Sequence, residues 1–274
     1  MNKKQNDPSV EFLYGTFLGR AVLKVILKSR IDRVFVKFLW SKHSKFIIKR
    51  YAEKHNIALS KDEIAKFSSF REFFARVKEN LPVDEDLNHL ISPCDGWLSC
   101  FKIDENSSFS IKSSHYRLSE FLEDKETAKE FVGGDCLIFR LCASDYHHYC
   151  YIDYGYQGKQ HNIQGVLHSV QPIAAEKMPV YVLNRRSWTL LITENFGPVI
   201  QTEIGALVVG GIVNYKENER FSKGEEKGHF ELAGSTIVLL FKKNRIKLNE
   251  EIRKALSEND EVRVSYGGYI GEAV

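Results

Sequence analysis

The chain has 274 residues, 43% hydrophobic and 27% charged, which suits one large domain or two small ones and excludes wholesale disorder. Its net charge of +3 conceals an asymmetry: residues 1–50 carry 12 Lys/Arg against 3 Asp/Glu, a local +9, and the remainder sums to −6. A basic head on a mildly acidic body calls for an anionic partner, either a membrane surface or a nucleic acid.

Residues 11 to about 80 read as helical. In "TFLGRAVLKVILKSR" the apolar Phe17, Leu18, Ala21, Val22, Val25 and Ile26 recur with helical spacing, and Arg20, Lys24 and Lys28 form a basic stripe on another face. Ser60, with Glu63 three residues later, has the signature of a capping box. Around Pro82 the texture changes to short apolar runs, "CLIFRL", "GALVVGGIVNY", "STIVLLF" and "EVRVSYGGYI", separated by Gly, Asn, Asp and Lys clusters. These are strand signals. The expectation is an α+β fold: a helical, basic, membrane-facing N-terminal region over 1–80, packed on a mostly antiparallel β catalytic body over 81–274. The first residues lack the apolar core and small-residue cleavage site of a signal peptide. The longest uncharged, mainly apolar run, Ile204 to Tyr215, has 12 residues, short of the roughly 18–20 that span a bilayer. The chain is therefore expected at the cytoplasmic face of the cell membrane, as a peripheral protein.

Five cysteines (Cys94, Cys100, Cys136, Cys142, Cys150) show no CxxC spacing, and Cys136 and Cys142 flank an apolar run as buried small hydrophobes. Four stretches can carry chemistry. In "SPCDG", Asp95 taken alone reads as an Asx-turn beside a glycine. In "CASDYHHYCYID", His147 and His148 are adjacent after Asp145, and on a strand they point to opposite faces. His168 sits in "GVLHSVQPIA", read as another strand. The fourth stretch is Gly234-Ser235-Thr236, at the head of "STIVLLF". Ser235 has no glycine two residues on, so it does not form the nucleophile elbow of a Ser-His-Asp hydrolase. A serine that follows glycine and opens a strand is instead placed to attack its own preceding carbonyl, given a base held by a second group. Zinc is not expected, because His147, His148, Cys150 and His168 lack a standard ligand spacing.

In combination and order these stretches resemble the phosphatidylserine decarboxylase family. Its Pro-x-Asp-Gly element appears as "SPCDG" and its Asp-Tyr-His element as "DYHHY". Its Val-Asn-Pro element is close to "SVQP", its Glu-x-Gly-Ala stretch resembles "TEIGALVVGGI", and its Lys-Gly-x-Phe run before the cleavage triplet is matched by "EKGHFELAGST". The resemblance runs from roughly Phe73 to Phe241. It implies an inactive proenzyme in which Ser235 attacks the Gly234 carbonyl. An acyl shift, β-elimination and hydrolysis would then leave a β chain, 1–234, and an α chain, 235–274, capped by a covalent pyruvoyl group made from Ser235. That ketone would form a Schiff base with phosphatidylserine and accept the electron pair as carbon dioxide leaves, giving phosphatidylethanolamine. Asp95 matches the acidic member of the cleavage relay, and His147 a candidate for handling the substrate's proton.

One departure stands out. The family commonly has Asp-Tyr-His-Arg-x-His, with the last histidine as relay base; here that position is Cys150. His148, His147 or His168 could replace it, with His147 and His168 preferred. The expected partners are phosphatidylserine, an anionic membrane surface and the chain's own two cleavage products, with a homodimer left open. The rivals are a pyruvoyl decarboxylase of another amino-carboxylate, a silent relative that does not mature, and a basic nucleic-acid-binding protein. The last ranks low, because the positive charge lies on helices beside aliphatic residues.

Overall fold

The helical period of the first eighty residues and the β-branched runs beyond Pro82 become two kinds of structure. The computed structural model describes residues 8–29, 31–106, 108–111, 114–206, 211–232 and 235–274. Gly234, on the amino side of the expected cut, lies outside the described residues, as do 207–210 of the long apolar run.

Among the described residues, six α-helices precede the first strand: α1 (Pro8–Gly15), α2 (Phe17–Ser29), α3 (Ile31–Trp40), α4 (Phe46–Lys54), α5 (Lys61–Lys66) and α6 (Phe70–Phe74). The capping box forms as expected, the Ser60 hydroxyl accepting from Glu63 N at 3.2 Å and the Glu63 carboxylate accepting from Ser60 N at 2.8 Å. Helix α2 forms over the expected residues, with its apolar face turned outward. Phe17, Leu18, Val22 and Val25 are exposed, and Leu23 is the buried residue. The reason is Gly19: a Cβ there would lie 1.9 Å from Phe12 O, so α1 and α2 meet backbone to backbone along the Gly19–Leu23 line.

The strands and later helices follow in order: β1 (His89–Ile91), β2 (Gly96–Lys102), β3 (Ser108–Ile111), β4 (Ser114–Arg117), α7 (Leu118–Leu122), α8 (Lys125–Lys129), β5 (Asp135–Leu141), β6 (His148–Cys150) and β7 (Gly155–Ile163). Next come α9 (Pro172–Lys177), α10 (Val180–Leu183), β8 (Arg186–Thr193), β9 (Gly197–Gly205), β10 (Ile212–Asn214), β11 (Glu219–Phe221) and β12 (Glu226–Phe230). The chain ends with β13 (Ser235–Phe241), β14 (Ile246–Leu248), α11 (Glu250–Glu258), β15 (Val262–Val264) and β16 (Tyr269–Ala273). Eight strands make one sheet, in the order β11-β7-β8-β9-β13-β5-β2-β15, with every neighbouring pair antiparallel. Two three-stranded sheets, β10-β12-β6 and β1-β16-β14, are also antiparallel. The fold class is therefore α+β, as the sequence suggested.

Strand β13 sorts the core by alternation. Ile237, Leu239 and Phe241 share a buried layer with Phe139, Val199 and, from β6 and β12, Tyr149 and Phe230. Val238 and Leu240 join the opposite layer, with Tyr14 of α1, Phe121 and Tyr181. A third cluster joins Phe70, Phe73 and Phe74 of α6 to Leu232, which lies just before the expected cut.

Three readings are corrected. "GALVVGGIVNY" is not one strand: β9 ends at Gly205, and β10 belongs to another sheet. "EVRVSYGGYI" divides into β15 and β16 at a turn where Gly267 takes φ +72°, a conformation that favours glycine. His168 is on no named strand but in the irregular segment before α9, because Pro172 begins a helix six residues after the isolated Val166–Asn184 bridge.

Candidate active site

Ser235 opens β13 and pairs with Leu141 on one side and Gly205 on the other, so both neighbouring strands hold it. It is fully buried, and its Oγ has no hydrogen-bond partner among the described residues. A hydroxyl in that condition costs about 1–3 kcal/mol, so its retention calls for an explanation outside stability. Its side chain shares the face of Ile237, and so of Glu203, which pairs with Ile237. There Glu203 and Lys227, both wholly buried, form a 2.9 Å ion pair. Asn214 donates to Glu203 at 3.1 Å and accepts from Lys227 at 3.0 Å and from Tyr149 at 3.0 Å. Burial pulls the Lys227 ammonium down from the usual lysine range, and Glu203 opposes that. A β-bulge in β12, between Glu226 and Gly228, turns Lys227 inward. The "EKG" run gave no sign of this pairing, since its partner lies 24 residues upstream on β9.

Asp95 is not in an Asx-turn. Its carboxylate accepts from Tyr266 N at 2.9 Å and from Tyr146 N at 3.3 Å, joining the C-terminal segment to the Asp145-Tyr146-His147 loop. Asp145 in turn is held by Arg263 through two bonds of 2.7 and 3.0 Å and accepts from Cys142 N at 2.6 Å. The Cys142 thiol is half-buried rather than buried, 3.4 Å from Arg140 Nη1; Cys136 is buried as expected.

Both adjacent histidines are buried, and their bonding separates them. His147 Nδ1 lies 2.9 Å from the Asp145 carbonyl oxygen, which can only accept, so Nδ1 carries the proton. That leaves Nε2 as a lone pair, and it is buried with no partner among the described residues. The ring lies against Phe74 at 4.3 Å, and the His147 carbonyl accepts from Phe230 N at 2.9 Å, which fixes the histidine beside the segment leading to Ser235. Burial brings the His147 pKa down to about 4, partly offset by the Asp145 charge. His148, by contrast, is engaged at both nitrogens, Nε2 with Ala75 O at 3.1 Å and Nδ1 with Glu226 at 2.5 Å. Cys150, at the usual base position, is buried, and desolvation pushes its thiol up to about 12, so it stays protonated.

His168 belongs to the other layer of the sheet. Its Nδ1 is 3.1 Å from Tyr14 Oη, which itself accepts from Ser169 N at 2.9 Å; the buried phenol proton goes to Nδ1 and leaves Nε2 as the donor. Asn184 ties the His168 backbone to the Gly205 carbonyl, opposite Ser235. The structure thus joins Asp95 to the Asp145–His147 loop, which leaves β5 just after Leu141, the pairing partner of Ser235, and places His168 with Tyr14 of the other core layer. One group among the described residues has metal-ligand geometry: His148, Glu226 and His229 each offer an atom within 4.8 Å of the others. The Glu226–His148 hydrogen bond already joins two of them.

Residues 70–272 match the phosphatidylserine decarboxylase family. The chain is similar to phosphatidylserine decarboxylase proenzyme 2 of Clostridium acetobutylicum, 39% identical over 98% of this chain and 94% of that one. It is 37% identical to the proenzyme of Clostridium perfringens over 96% and 92% of the two chains. The proenzyme of Ruminiclostridium cellulolyticum is 40% identical over 96% and 90%. This chain belongs to the phosphatidylserine decarboxylase family and, within it, is similar along nearly its whole length to proteins named as proenzymes.

Proposed function

We propose that the chain is a proenzyme that cuts itself between Gly234 and Ser235 and then converts phosphatidylserine to phosphatidylethanolamine and carbon dioxide. The observation that carries this reading is the buried Ser235 hydroxyl, which has no partner among the described residues and stands at the start of β13 directly after the expected cut. His147 Nε2 is the base available to it: neutral, buried, unpartnered, and set in its tautomer by a main-chain carbonyl. His148 and Cys150 are each held in other bonds or protonated, and the His168 tautomer suits a donor rather than a base. Asp95 acts by fixing the loop that carries His147.

In the self-cleavage, His147 removes the Ser235 hydroxyl proton as Oγ attacks the Gly234 carbonyl carbon. The Gly234–Ser235 C–N bond breaks, and the proton passes to the freed amine. Elimination then takes the Ser235 α-hydrogen, breaks the Cβ–O bond and releases Gly234 as a carboxylate. Tautomerisation and one water convert the remaining enamine to a ketone and ammonia. The residues present fit a pyruvoyl group at this position, since its precursor hydroxyl, a buried neutral base and a rigid strand start occur together. Once formed, that ketone supplies the electron sink for decarboxylating an amine-bearing substrate. His147, still neutral, can hold or return a proton at the substrate's α-carbon. The two chains stay together because β13 pairs with β9 and β5 over all seven residues, and β15 and β16 pair with β2 and β1.

A lipid substrate is supported by α2 and α3, where Phe17, Leu18, Val25, Val34 and Phe35 are exposed beside Arg20, Lys24 and Lys37. No helix among the described residues is long and apolar enough to cross a membrane. An apolar face flanked by cations suits the surface of an anionic bilayer. The deciding experiment is intact mass spectrometry of the purified protein with an assay of carbon dioxide release from phosphatidylserine. Two chains, the smaller bearing the pyruvoyl mass at residue 235, are expected. One uncut 31.6 kDa species that still decarboxylates would refute the mechanism.

A further inference from the structure

The segment leaving α6, Arg76-Val77-Lys78, is in neither helix nor strand and lies against the loop that carries His147. Its attachment is close: Ala75 O accepts from His148 Nε2 at 3.1 Å, Lys78 N donates to Tyr146 Oη at 3.3 Å, and Phe74 lies against the His147 ring. Both cations lie beside Tyr146, and the Arg76 charge also acts on His147, so the two meet at the edge of the His147 site. Arg76 is half-buried, its guanidinium 5.0 Å from the Phe73 ring centroid, with Nη1 donating to Phe73 O at 3.2 Å. The Lys78 ammonium sits 5.1 Å from the Tyr146 ring centroid. Among the described residues no carboxylate forms an ion pair with either. The contrast with the neighbouring arginines is direct, because Arg71, Arg140 and Arg263 each hold a carboxylate within 2.7 Å. A half-buried guanidinium over an aromatic ring, with no counter-ion among the described residues, is prepared for an anion from outside the chain.

We propose that Arg76 and Lys78 form the subsite for the phosphodiester of the amino-phospholipid headgroup, an inference that rests on the function proposed above. The headgroup offers two anions, and the chemistry chooses between them. The carboxylate leaves as neutral carbon dioxide, so a cation bound to it would stabilise the ground state more than the transition state and slow the step. The phosphodiester keeps its charge throughout. A cation bound there helps the two states equally, and its loss appears in KM.

The test uses purified wild type, Arg76→Gln, Lys78→Gln, the double variant and Arg76→Lys, each first checked for complete self-cleavage and for melting temperature. Short-chain phosphatidylserine in neutral detergent micelles removes the contribution of an anionic bilayer. Arg76→Gln should raise KM about tenfold or more, with kcat changed far less; the double variant should add to this, and Arg76→Lys should recover part of it. Calorimetry at constant ionic strength with glycerophosphoethanolamine, free serine and inorganic phosphate gives a readout independent of turnover. Loss of glycerophosphoethanolamine binding in the variants, with serine unaffected, supports the subsite even if phosphatidylserine proves not to be the substrate. An unchanged KM, a fall confined to kcat, equal losses for serine, or inorganic phosphate binding as tightly as the phosphodiester would each overturn it.

Discussion

Strand β13 and helix α2 carry similar apolar sequences and meet opposite fates. All seven residues of β13 are buried, paired on both edges and covered on both faces. In α2, Phe17 is 84% exposed, Leu18 65% and Val25 62%. Both stretches are apolar enough to leave water, but only β13 is given protein to leave it for. Its cover comes from two core layers, whereas α2 is met by α1 along the line where Gly19 lets it approach and leaves Phe17, Leu18 and Val25 exposed. An open apolar face beside a basic stripe is what the proposed membrane contact would cover.

The sharpest way to break the β13 side of this comparison is Ser235→Ala. It keeps the strand and removes the hydroxyl, so the chain should remain a single 31.6 kDa species and release no carbon dioxide, as read by electrophoresis and intact mass. With that variant as background, stability can be measured without cleavage. Glu203→Gln or Lys227→Met then leaves the other member of a fully buried ion pair uncompensated. Each should cost about 3–5 kcal/mol, a fall in Tm on the order of 10 °C. The double variant should recover most of the loss. If both single variants melt like the parent, the pair is not as buried as the structure has it.

His147 adds a pH signature of intermediate size. Its folded pKa of about 4 lies below the ordinary 6.5, so the unfolded chain takes up a proton that the folded chain refuses. Stability should therefore be at its full value above about pH 6.5 and decline as the pH falls towards 4, by at most about 3 kcal/mol for this group. Self-cleavage should stay flat across the neutral range and drop only below about pH 5. His147→Gln should remove that step from the stability curve and slow cleavage by at least 100-fold. Loss of cleavage near pH 6.5 would point to a more exposed histidine as the base.

What could be read in advance divides along the same line. Local rules reached the Ser60–Glu63 cap, the division near Pro82 and the whole of β13, since each depends on residues within one turn or one strand. The ordered motifs brought out Asp95, His147 and Ser235. The partners of those residues were out of reach. Tyr266 meets Asp95 across 171 positions, Arg263 meets Asp145 across 118, and Lys227 turns towards Glu203 only because of a one-residue bulge. The strand expected at His168 does not form: the "GVLHSV" backbone is pinned by the Asn184 side chain rather than by a ladder. In α2 the period predicts the helix and the basic stripe beside it the outward direction, since periodicity alone reports that a helix has an apolar face and is silent about what covers it.

That direction is the smallest change to make and the most telling for the comparison. Leu18→Ser and Val25→Ser remove apolar side chains that the folded chain already exposes, so each should alter stability by no more than about 0.5 kcal/mol. Burying such a side chain in the acyl boundary is worth roughly 1.5–3 kcal/mol, so each substitution should weaken binding to phosphatidylserine vesicles about tenfold or more. Leu23→Ser should do the reverse, lowering Tm through the buried contact with α1 before it reaches the membrane. Flotation across a salt series separates the remaining term, since attraction through Arg20 and Lys24 is screened by salt and apolar insertion is not. Equal losses of Tm in all three variants would mean that α2 is covered by protein after all, and the contrast with β13 would vanish.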